Sequence, residues 1–148
     1  MNPFLEKARH YCDYQERCHQ EVQQRLYDWG LKSDEIGTIM SQLIEEGFLN
    51  EERFARAFCR GKFNLKKWGR LKIVRELKSR QISEYCIRKG LEEIDDEKYL
   101  QTLEKLVEEN WKKYKGKLVF TRKGLTAKFL MGKGYESDLI WGVLNKHS

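Results

Sequence analysis

One short pattern occurs three times in this 148-residue chain, and it limits the possible folds more than any other feature. Gly30-Leu31-Lys32-Ser33-Asp34-Glu35-Ile36 aligns with Gln81-Ile82-Ser83-Glu84-Tyr85-Cys86-Ile87, and both align with Gly134-Tyr135-Glu136-Ser137-Asp138-Leu139-Ile140. Leu26, Leu77 and Leu130 stand at the same offset before each turn, and Met40, Leu91 and Leu144 at the same offset after it. The copies are displaced by 51 and then 53 residues. A period of this size marks a repeat architecture whose units bury too little alone and lean on their neighbours. Three units are expected, at 1–49, 50–94 and 95–148.

Each unit reads as three helices. The only proline is Pro3, so nothing interrupts a helix after the first turn. Apolar spacing predicts helices over 4–13, about 19–29 and 33–46, with Gly30 as a left-handed stop. In the middle unit Asn50 is a natural N-cap, followed by Glu51 and Glu52 in the first turn. Phe54, Ala57, Phe58 and Gly61 then form a stripe expected to be buried, while Arg53, Arg56 and Arg60 share another face. A basic loop is expected over Asn64–Gly69. A second helix follows from about Gly69, with Ile73, Val74 and Leu77 inward and Lys72, Arg75 and Ser79 outward. The third helices are expected at 33–46, 83–93 and 136–146. In the last unit Tyr99, Leu103, Leu106, Val107, Asn110 and Trp111 are spaced to bury one face. Lys117–Thr121 is the only short candidate for a strand. The fold expected is all-α, three tandem three-helix repeats in an elongated, curved arrangement.

Charge is distributed unevenly. Residues 50–80 hold eleven Lys and Arg against three Glu, a local +8 that exceeds the +6 of the whole chain. Residues 112–133 hold eight Lys and Arg and no acid, whereas 1–49, 81–111 and 134–148 carry −4, −5 and −1. Local excess of this kind points to an extended polyanion as partner. The candidate contacts in the first tract are Arg53, Arg56, Arg60, Lys62, Lys66, Lys67, Trp68, Arg70, Lys72, Arg75 and Lys78. In the second they are Lys112, Lys113, Lys115, Lys117, Arg122, Lys123 and Lys128. Cations that neutralise phosphates release counterions, so affinity should fall with salt. Trp68, Tyr114 and Phe120 lie among these charges, where an aromatic can stack on an unpaired base. Trp68 serves equally as cover for the interhelical core, and Phe63 is expected to be core. Acidic stretches such as Glu45-Glu46, Asp95-Asp96-Glu97 and Glu108-Glu109 are helix-start charges or solvated faces; they would also hold those faces off DNA.

No enzymatic reading survives. His10, Cys12, Cys18 and His19 lack a zinc spacing, and no nucleophile, base and orienting group can be argued together. Gly116 and Gly124 lie in lysine-rich sequence without phosphate-loop spacing. No metal and no cofactor are expected. Four irregularly spaced cysteines argue against a disulfide framework and fit a reducing cytoplasm. No apolar run approaches the ~20 residues that span a bilayer. A helix-turn-helix reader of base edges would need Arg, Asn or Gln on its third helix. Here the third helices are acidic or neutral, which favours contact with the nucleic-acid backbone.

Several stretches resemble the RecX family, bacterial regulators of the RecA recombinase, and the resemblance spans essentially the whole chain. Leu43–Phe58, with an acidic pair, a glycine, two apolar residues and the helix Arg53-Phe54-Ala55-Arg56-Ala57-Phe58, is similar to the family's most specific run. Lys72–Ser83 resembles its second signature and Phe129–Tyr135 the shorter signature of the last repeat. Gln81 stands where such proteins often have glycine, and Trp68-Gly69-Arg70 where a Gly-Pro step is common. The resemblance implies an all-helical regulator, mainly an inhibitor, that lies in the groove of the RecA–single-stranded DNA filament. There it would limit filament growth, recombinase activity and coprotease activity, as a monomer acting in DNA repair and the SOS response. The residues alone support a second reading, a nonspecific helical module bound to the DNA backbone without RecA.

Overall fold

Pro3 opens the first helix, where its fixed φ and missing N–H cost nothing, and Asn2 caps it by accepting the Phe4 amide at 2.9 Å. The computed structural model describes residues 2–147. Its elements are α1 (Pro3–Tyr14), α2 (His19–Asp28), α3 (Ser33–Glu45), α4 (Glu51–Lys66), α5 (Arg70–Ser79), α6 (Glu84–Leu91), α7 (Asp96–Lys113), α8 (Val119–Gly132) and α9 (Ser137–Leu144). No strand occurs among the described residues. Side chains near several helix starts bond the backbone amides there and help set where those helices begin. Glu21 accepts the Cys18 amide at 2.7 Å and Glu35 the Lys32 amide at 3.1 Å. Asn50 accepts the Arg53 amide at 2.8 Å, and Asp95 the Lys98 amide at 2.9 Å.

The threefold pattern becomes one turn built three times. Gly30, Gln81 and Gly134 all adopt positive φ, at 91°, 60° and 98°. In each copy the next residue's amide reaches back to the conserved-offset leucine: Leu31 to Leu26 at 3.2 Å, Ile82 to Leu77 at 3.1 Å, Tyr135 to Leu130 at 3.1 Å. This closes the preceding helix and turns the chain toward the next one. Leu26, Leu77 and Leu130 are fully buried, and Leu31, Ile82 and Tyr135 after the turn are buried too. Each turn therefore joins the second and third helices of its repeat.

The chain divides into two compact units, Met1–Phe58 with Leu77–Gly90 and Cys59–Glu76 with Leu91–Ser148. In the first, α1, α2 and α3 pack pairwise around Ala8, Val22, Leu26, Ile39 and Leu43, with Phe4, Tyr11 and Trp29 against that core. In the second, α7, α8 and α9 pack pairwise. There Phe63 meets Tyr99 at 5.8 Å between ring centroids, and Tyr99 stacks on Tyr135 at 5.1 Å. The division runs through α4 and α5, so the middle repeat contributes residues to both units.

Three local expectations change. Asn64–Lys66 are helical, and the loop before α5 shrinks to Lys67–Gly69 because α4 closes only when Lys67 turns left-handed at φ 59°. The buried face of α4 is Phe54, Ala55, Cys59 and Phe63, with Ala57, Phe58 and Gly61 at its margin. Ala55 and Cys59 are both fully buried, so the stripe runs on their side of Phe54 and leaves Phe58 half-buried. Lys117–Thr121 is not a strand: Leu118 is the N-cap of α8, and the Arg122 amide already bonds the Leu118 carbonyl at 2.8 Å.

Candidate nucleic-acid interface

The arginine row of α4 is held by carboxylates. Arg53 Nε sits 2.8 Å from Glu16, and its guanidinium also reaches the Phe48 carbonyl at 3.2 Å. Arg56 pairs with Glu52 at 3.0 Å, one turn away, and Arg60 with Glu93 at 2.6 Å. Each of these pairs lies within one unit. A phosphate approaching this row would have to displace a carboxylate already in place.

The α4–α5 turn is locked down more firmly. Lys67 donates through Nζ to the Asn64 carbonyl at 2.9 Å, and its own carbonyl accepts the Tyr135 hydroxyl at 2.8 Å. The Gly69 amide donates to the Lys133 carbonyl at 2.7 Å and the Leu71 amide to the Gly134 carbonyl at 2.9 Å. That approach needs glycine, because a Cβ on Gly69 would run into the Gly134 backbone. The Tyr99 hydroxyl accepts the Arg70 amide at 2.9 Å and donates to Glu136 at 2.5 Å. Burial, then the bond to Glu136, pushes this phenol well above the usual tyrosine range. Burial does the same for Tyr135, helped by the charge of Glu136. The Arg70 guanidinium lies 2.6 Å from Asp96 and 3.1 Å from Glu136, over the Tyr99 ring at 3.9 Å. Arg70 thus clamps the turn onto the third repeat's helices.

Near that fixed turn stand several cations of the first tract. Trp68 is half-buried, with Lys62 Nζ at 4.9 Å and Lys72 Nζ at 4.4 Å from its ring centre. The indole thus serves both as partial core cover and as a base on which two ammonium groups rest. Lys66, Lys67 and Arg75 of the same unit are exposed, whereas exposed Lys78 belongs to the other unit. An open depression of about 330 Å³ adjoins the turn, lined by Lys67, Gln101, Thr102, Lys105, Leu106 and Glu109.

The second tract separates in the same way. Arg122 is spent on structure: its Nε donates to the Trp111 carbonyl at 2.7 Å, and its guanidinium covers the Trp111 ring at 4.0 Å. Lys112 lies 4.0 Å from Glu108, a loose surface pair. Lys115, Lys117 and Lys128 are exposed and Lys123 is half-exposed. Lys113 and Lys133 each place Nζ 5.9 Å from the Phe129 ring, a second aromatic flanked by two lysines. Phe129 and Lys133 are absent from the candidates drawn from the sequence. Their i, i+4 spacing on one helix is the signal that could have found them.

Fifteen of the eighteen sequence candidates fall in the second unit; Arg53, Arg56 and Lys78 fall in the first. The second unit carries eighteen Lys and Arg against eleven Asp and Glu, net +7; the first carries eleven against twelve, net −1. The thiols take no part. All four cysteines are buried, and burial pushes Cys59 up to about 12 and Cys12 to about 11. No group of His, Cys, Asp and Glu among the described residues could hold a metal ion. Among the same residues, no helix is long and apolar enough to cross a membrane.

Comparison with known proteins bears on this arrangement. A family model described as "RecX, second three-helix domain" matches residues 50–91, and "RecX, third three-helix domain" matches 96–144, together more than half the chain. A "Regulatory protein RecX" from Bacillus mycoides (strain KBAB4) is 27% identical over 134 residues, 90% of this chain and 50% of that protein. One from Bacillus cereus (strain B4264) is 26% identical over the same lengths. The chain spans about half the length of these curated relatives. Among solved structures, RecX from Lactobacillus salivarius superposes with a TM-score of 0.86 at 22% identity, covering 96% of this chain and 92% of that one. A second, described as regulatory protein RecX, gives 0.84 at 19% identity, covering 95% and 71%.

Proposed function

The chain belongs to the RecX family of regulatory proteins, and on that footing we propose that it regulates a RecA recombinase, mainly as an inhibitor. It binds in the groove of the RecA–single-stranded DNA filament and limits filament growth, and with it recombinase and coprotease activity. A single chain acts, in the cytoplasm, without cofactor. The observation that carries this reading is the +7 of the second unit, in which one basic turn is fixed by Arg70, Tyr99, Tyr135 and Glu136. Rigid presentation of lysines suits the phosphate path of a nucleoprotein filament, because little side-chain and loop entropy remains to be lost on binding. Contacts of this kind position a protein on nucleic acid without reading its sequence.

The test is ATP hydrolysis by RecA on single-stranded DNA during titration with this protein. Wild type is expected to suppress hydrolysis at less than one copy per recombinase. A Lys66→Glu/Lys72→Glu/Arg75→Glu variant, which spares the carboxylate-paired arginines, is expected to lose that suppression. Unchanged hydrolysis, with tight salt-sensitive binding to naked DNA, would instead support the nonspecific backbone-binding module.

A further inference from the structure

The first turn of α8 presents apolar side chains to solvent on a rigid support. Leu118 is 80% exposed, Val119 45% and Phe120 90%, three consecutive residues. Chains normally hide such a run, and isolated exposed hydrophobics need no explanation, but a contiguous aliphatic–aromatic step does. It is not a loose loop. Gly116 turns at φ 95°, the Lys117 amide bonds the Tyr114 carbonyl at 3.2 Å, and the Arg122 amide bonds Leu118 at 2.8 Å. Arg122 then bolts the turn to the end of α7 through the Trp111 carbonyl and ring. The structure uses its one arginine here to fix the support and leaves the apolar residues outward.

We propose that Leu118–Val119–Phe120 is a protein-docking contact that seats in an apolar pocket rimmed by carboxylates on a folded partner. This rests on the reading above, under which that partner is the recombinase subunit. The rim chemistry follows from the flanks: the tract 112–133 contains no acid, and Lys115, Lys117 and Lys123 flank the step in sequence. An acidic rim both attracts this surface and orients it. Nucleic acid fits the three residues less well. A base offers a flat face that one ring can use, and Leu118 and Val119 gain their energy only from an apolar cavity. A second copy of this chain would bring +7 against +7 if it docked unit to like unit. The two contact types are thus separated: lysines around Trp68 for phosphate, and the start of α8 for protein.

Labelled protein would be titrated in parallel with RecA lacking DNA, with an oligothymidylate lacking RecA, and with vesicles containing phosphatidylserine. Leu118→Ser/Phe120→Ser is expected to weaken recombinase binding at least about tenfold, the scale of a lost anchor, with oligonucleotide affinity kept within about twofold. Phe120→Leu is expected to retain recombinase binding, because an aliphatic residue still fills a pocket. Both substitutions are at exposed sites, and matching thermal melts would show that the fold is intact. The proposal is overturned if the double variant binds RecA like wild type. It is also overturned if Phe120→Leu loses oligonucleotide affinity while recombinase binding stays, if only vesicle binding responds, or if wild type alone self-associates. Wild type that binds oligonucleotide but neither DNA-free RecA nor the RecA–single-stranded DNA filament would remove the recombinase reading along with it.

Discussion

Gln81 is the residue at which this chain departs from its own pattern. Gly30 and Gly134 take positive φ at no steric cost, whereas Gln81 holds φ 60° in the same turn with a side chain attached. Its side chain is exposed, so nothing in the core depends on it. Gln81→Gly should therefore stabilise the protein by about 0.5–1 kcal/mol, read as a raised urea midpoint. The matching position in the last repeat behaves in the opposite sense. A Cβ on Gly134 would strike the Lys72 backbone in addition to straining φ 98°. Gly134→Ala should cost about 2–4 kcal/mol in the same measurement, strain and overpacking together. Equal effects at the two positions would show that the turns are not equivalent. The repeat was legible at this scale because the spacing of leucines and turns lies along the sequence. The close approach of Gly69 to Gly134 was not, since those residues are far apart in the chain.

At the scale of the helix, the lesson lies in α4 and α5. Helical spacing put Arg53, Arg56 and Arg60 on one face and Glu52 one turn from Arg56, but could not show that Glu16 and Glu93 meet the other two. Spacing likewise grouped Arg70 with the DNA-facing lysines, although its guanidinium is committed to Asp96 and Glu136. The Tyr99 hydroxyl is central to that clamp, since it serves the Arg70 amide and Glu136 at once. Tyr99→Phe would leave a part-buried amide without its acceptor and should cost about 1–3 kcal/mol, measured by urea unfolding. Arg70→Gln should lower the same midpoint while leaving the salt dependence of DNA binding unchanged. A phosphate-binding Arg70 would give the reverse pattern.

Over the whole molecule the two sequence tracts resolve into one basic unit and one nearly neutral unit. Each phosphate contact on a single strand adds ~0.7 to the slope of log affinity against log salt. Lys66→Gln/Lys72→Gln/Arg75→Gln should thus flatten that slope by about 2, measured by anisotropy of a labelled oligothymidylate over a salt series. Arg53→Gln/Arg56→Gln should change it by less than about 0.5, because those guanidiniums already have carboxylate partners. A flattening of equal size in both variants would place the arginine row on the nucleic acid after all.

The sequence by itself determined the helical class, the three-copy turn, most helix starts and the sign and placement of the charge. All of these depend on neighbours within a few residues, or on a period that repeats. The tertiary structure decided which cations remain available, which face of α4 is buried and that Leu118–Phe120 begins a helix rather than forming a strand. Those outcomes depend on partners such as Glu136 for Arg70 and Trp111 for Arg122. Only folding brings those partners into contact.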